Sequence, residues 1–83
     1  QIEAILKKVN VPAFRDDFRM GFLIGYDGFV AYHKGNLCGQ ASDGEELFET
    51  TRQYYGASNL AVFRVPQAEE TIDSVLGEAQ GQF

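Results

Sequence analysis

Ile2, Ile5, Leu6 and Val9 recur at the three- and four-residue spacing that gathers side chains on one helix face, with Lys7 and Lys8 in the closing turn. This pattern predicts a short first helix that stops near Asn10. Pro12 fits a first helical turn, and Phe14, Phe18 and Phe22 then follow at i, i+4 and i+8 with Arg15, Asp16, Asp17 and Arg19 between them. A second helix is the reading. A competing one makes Phe22 to Tyr26 a strand that turns at Asp27-Gly28, because Asp-Gly between apolar runs is also a hairpin signal.

From Phe29 the period changes to two. Phe29 to Lys34 and Leu37 to Ala41 form two such runs around Gly35-Asn36, a pair suited to a two-residue turn. With those two residues as the loop, Lys34 lies opposite Leu37, His33 opposite Cys38, Tyr32 opposite Gly39 and Val30 opposite Ala41. One face then carries Val30, Tyr32, Leu37 and Ala41 and looks inward. The other carries Phe29, Ala31, His33, Cys38, Gln40 and Ser42.

Ser42-Asp43-Gly44-Glu45-Glu46 is a helix start, with capping-box spacing and carboxylates at the positive helix end. Leu47, Phe48, Thr51, Tyr54 and Tyr55 mark the buried stripe of a helix over about 43 to 55, and Gly56 suits its C-terminal cap. Leu60 to Val65 reads as a central strand closed by Pro66. Ala68, Ile72, Val75, Leu76 and Ala79 then share one face of a closing helix. The expected fold is a single α+β domain over residues 1–83: a three-stranded sheet with a ββαβ core, covered on one face, with flanking N- and C-terminal helices. The third strand can pair antiparallel with the first hairpin strand or parallel with the second.

Gly28, Phe29-Val30-Ala31, Gly35, Glu45-Glu46-Leu47 and Arg64-Val65-Pro66 reproduce a pattern of glycine, aromatic-Val-Ala strand, glycine turn, acidic helix start and strand ending in Val-Pro. Over residues 26–66 the chain resembles a family of small bacterial domains of unknown function, with Phe29 standing where that family's pattern has Trp. The resemblance implies a ββαβ core and brings no catalytic residues with it.

Hydrophobic residues make up 45% of the 83 and charged ones 23%, the balance of a chain that folds. A core this small is thin, so extra burial against a partner subunit is expected. Twelve acids against seven Lys and Arg give a net charge of −5, and the basic residues are scattered, which argues against nucleic acid and anionic membranes as partners. A lone Cys38 makes no internal disulfide and completes no zinc spacing, and the longest apolar run, Gly21 to Tyr26, falls short of a membrane span. A reducing cytoplasm fits best. No GxxxxGK[ST] or GxGxxG opens a helix, so no nucleotide or other cofactor is expected.

The arrangement closest to chemistry is His33 beside Cys38, because imidazole next to a thiol can generate a thiolate nucleophile. The sequence supplies neither a group to orient the imidazole nor an oxyanion hole. Asp16/Asp17, Glu45/Glu46 and Glu69/Glu70 are helix neighbours, which point about 100° apart and do not converge. These features predict a non-enzymatic binding or regulatory module acting through protein contacts. The alternatives are a thiol-dependent enzyme or redox sensor using Cys38 and His33, and an acidic decoy of a nucleic-acid-binding protein. Apolar stripes left over after one sheet is covered predict a homodimer, with Ile2, Ile5, Leu6, Phe14, Phe18 and Phe22 as its candidate interface.

Overall fold

The structure, a computed structural model, describes residues 9–67 and 69–81. Ile2, Ile5 and Leu6, and with them the expected first helix and part of the candidate interface, lie outside the described residues. The chain is α+β, with helix α1 (Asn10–Arg19), strands β1 (Phe29–His33) and β2 (Asn36–Ala41), helix α2 (Gly44–Tyr55), strand β3 (Leu60–Arg64), a short helix α3 (Ile72–Leu76) and strand β4 (Gln80–Gly81).

The sheet has four strands in the order β2-β1-β3-β4, all neighbours antiparallel, rather than the three expected. The closing helix is only five residues long. The chain turns back after Gly77, and Gln80 and Gly81 pair with Val62 and Ala61. Of the two pairings open to the third strand, it takes the antiparallel one beside β1. This placement makes β3 central, and Leu60 to Phe63 are all buried, as their unbroken apolarity implied.

Both sheet faces are covered, where one was expected. On one face Phe14, Leu23, Val30, Tyr32, Ala61, Phe63, Val65 and Val75 form a cluster fed by α1 and α3. Phe14 and Phe63 stack at 4.4 Å, and Tyr32 meets both edge-on. On the other, Ala31 and Val62 pack with Leu47 of α2. Phe14 is fully buried in this core, which removes it from any interface.

The second helix ends three residues before Phe22. Gly21, at φ +83°, is the left-handed residue just past the helix; its N–H bonds the Phe18 carbonyl, and the Phe22 N–H bonds that of Asp17 at 2.9 Å. This pair of bonds is the Schellman stop. Phe22 therefore falls out of the Phe14/Phe18 stripe, and residues 20–25 form a run of turns instead of the competing strand.

The hairpin also differs from expectation. Lys34 (φ 53°) and Gly35 (φ 82°) are its two central residues, both left-handed as a type I′ turn requires, so that His33 pairs with Asn36 and Tyr32 with Leu37. The register then shifts between Ala31 and Tyr32, and Cys38 is the extra residue of a bulge. Ala31 faces Gly39 and Phe29 faces Ala41, so Ala41 joins the α2 side rather than the side of Val30 and Tyr32. The cause lies outside the hairpin. The buried Asn10 side chain accepts the Gly35 N–H at 2.8 Å and donates to the Asn59 carbonyl at 2.8 Å, fixing which residues turn.

Candidate functional site

α2 starts where the chain bares its carboxylates. Asp43 is the N-cap, its Oδ1 accepting the Glu45 and Glu46 N–H groups at 3.0 and 3.2 Å. The helix lies close on the sheet because Gly39 is bare: a Cβ there would sit 3.2 Å from Leu47 Cδ1 and 3.4 Å from Thr51 Cγ2. Its C-terminal half approaches β2 at Cys38. There Thr50, Thr51, Gln53, Tyr54, Tyr55 and Cys38 line a cavity of about 430 Å³.

His33 and Cys38 are not cross-strand partners, since His33 faces Asn36 and Cys38 sits in the bulge. Both nevertheless stand on the α2 side. The His33 ring stacks on Tyr55 with centroids 5.0 Å apart, and Tyr55 meets Tyr54 edge-on at 4.8 Å. Cys38 is half-buried, and that burial pushes its thiol pKa up, away from the thiolate a nucleophile needs. Among the described residues, no three His, Cys, Asp or Glu side chains come together as metal ligands. Asp16 and Asp17 diverge as their helix spacing implied, Asp17 accepting the Tyr32 hydroxyl while Asp16 lies toward Arg19, whereas Glu69 and Glu70, expected on the closing helix, precede it because that helix starts only at Ile72.

A second feature carries no polar chemistry. In the last turn of α1 and just past it, Phe18, Met20, Phe22 and Ile24 stand exposed before and among the glycine turns, Ile24 at 86%. Phe18 and Phe22 belong to the candidate interface read from the sequence. Met20 and Ile24 were missed because a helix continued through Phe22 sets them on the face opposite the Phe14, Phe18 and Phe22 stripe. The two glycines Gly21 and Gly25, both left-handed, were the available signal.

Comparison of the chain with family profiles, with curated proteins and with solved structures found no match. No helix among the described residues is long and apolar enough to cross a membrane.

Proposed function

We propose that this chain is a small non-enzymatic binding module that acts through protein–protein contacts and works as a homodimer. The observation that carries the reading is the apolar knuckle of Phe18, Met20, Phe22 and Ile24. Both faces of the sheet are already covered by helices, so the knuckle has no task in closing the core. Four exposed apolar side chains within residues 18–24, on a chain with 23% charged residues, mark a protein contact surface. The raised thiol pKa of Cys38 supports a non-catalytic role for the β2 bulge.

Sedimentation velocity at micromolar concentration tests the self-association. The chain is expected to run heavier than its 9.2 kDa. A soluble 9.2 kDa species at every concentration would overturn the reading.

A further inference from the structure

We infer that the subunits of the homodimer join through the edge of β2 that no described strand covers, paired antiparallel with β2 of a second copy. The inference rests on the self-association proposed above and locates it.

β2 is an edge strand of six residues, with β1 on one side and no strand on the other among the described residues. Edge strands normally refuse partners with a lysine, a proline, an inward charge or a bulge. Asn36-Leu37-Cys38-Gly39-Gln40-Ala41 holds no charge and no proline, and its bulge is confined to Cys38. The half beyond the bulge, Gly39 to Ala41, keeps regular pairing with β1.

The charges flanking this edge select the occupant and its direction. Exposed Lys34 stands before the strand, and exposed Asp43, Glu45 and Glu46 stand just after it. None of these four makes a salt bridge among the described residues. An incoming antiparallel strand brings its own end to Lys34 and its own beginning to the acids, so the edge favours a strand with a basic residue before it and acidic residues after it. β2 of the same chain, with Lys34 before it and Asp43, Glu45 and Glu46 after it, is such a strand. With the dyad at Gln40, Gly39 faces the partner's Ala41 and Gln40 the partner's Gln40, a pairing that brings each Lys34 turn toward the end of the partner's β2, beyond which its acids stand. It places opposite charges together on subunits whose net charge of −5 would otherwise repel.

Charge exchange and cross-linking of the full chain test the assignment. Lys34→Glu is expected to weaken the dimer by roughly tenfold or more in sedimentation equilibrium, and Glu45→Lys with Glu46→Lys to do the same. Combining all three changes should restore dimerisation, a rescue that loss of folding could not produce. In a Cys38→Ser background, Gln40→Cys should give a disulfide-linked dimer on mild oxidation, since directly opposed strand positions place Cβ atoms roughly 4.5–5.5 Å apart. If the unmodified chain is monomeric, both this inference and the proposed self-association fail. If it dimerises but the charge variants leave the dimer unchanged and Gln40→Cys does not cross-link, self-association stands and the β2 edge is the wrong surface.

Discussion

The Tyr32 hydroxyl donates to Asp17 Oδ2 at 2.6 Å, joining α1 to β1 through a carboxylate that the sequence reads only as one of a non-converging helix pair. The ring is fully buried beneath Phe14 and Phe63. Desolvation, then the bond to Asp17, pushes the phenol pKa far above its ordinary 10.0. A folded-state pKa raised in this way contributes stability that is complete below pH 10.0 and is lost as pH rises beyond it. Tyr32 is thus expected to ionise only as the chain unfolds. Of the four tyrosines, one should gain tyrosinate absorbance together with the loss of circular dichroism in an alkaline titration. Tyr32→Phe should remove that coupling and cost about 1.5–3 kcal/mol, the range for a hydrogen bond to a charged group. Ionisation of all four tyrosines with the dichroism unchanged would refute the assignment.

Asn10 holds the hairpin register. Its amide serves Gly35 and Asn59 at once, and the Lys34 N–H reaches the same Asn59 carbonyl at 3.0 Å. Asn10→Ala strands a backbone donor and removes one bond to a carbonyl, for an expected loss of about 2–4 kcal/mol. Asn10→Asp keeps the acceptor for Gly35 but aims a carboxylate at the Asn59 carbonyl, so it should recover little of that loss. Denaturant unfolding measures both. An Asn10→Asp variant as stable as the parent would show that the bond to Asn59 carries no weight.

What the sequence made legible, and what it hid, follows from how local each cause is. The α2 start, its Gly56 stop and the central position of β3 depend on neighbouring residues or on unbroken apolarity, and all are found where expected. The hairpin turn depends on Asn10, 25 residues from Gly35, and no turn rule puts a lysine in the left-handed region without such help. Gly21 kept the helical period through Phe22 alive on paper while supplying the conformation that ends the helix. Of the candidate site, His33, Cys38, Phe18 and Phe22 were visible as residue types. Their actual neighbours, Tyr55 for His33 and the glycine turns for Phe22, needed the fold.

Arg64 holds the last segment against the sheet, bonding Glu70 through both ends of its guanidinium at 2.7 Å and Glu78 at 2.7 and 3.1 Å. The guanidinium, with help from the Gln67 N–H, pulls the Glu70 carboxyl down to about 2 from its ordinary 4.5, and Glu78 is lowered by the same guanidinium. A depressed folded-state pKa contributes stability that is present above pH 4.5 and is lost as pH falls toward 2. The thermal midpoint should therefore drop across that window. Arg64→Met should flatten the drop, because its carboxylates have no cation left to release. If both proteins lose stability in parallel, other carboxylates dominate acid unfolding.

Cys38 should be slow to alkylate. Its thiol is half-buried between the β2 bulge and the end of α2, and that burial raises its pKa, so at neutral pH less of it is thiolate than in an exposed peptide. His33 does not oppose it across the hairpin, and the imidazole is stacked on Tyr55. Iodoacetamide at pH 7 is expected to react more slowly than with a free cysteine peptide, and Tyr55→Ala, which opens one wall of the cavity, should speed the reaction. His33→Ala separates the two possible origins of any reactivity. It should change the rate little, whereas a rapid reaction at pH 6 that vanishes in His33→Ala would establish a thiolate–imidazolium pair and replace the binding module with a thiol-dependent enzyme.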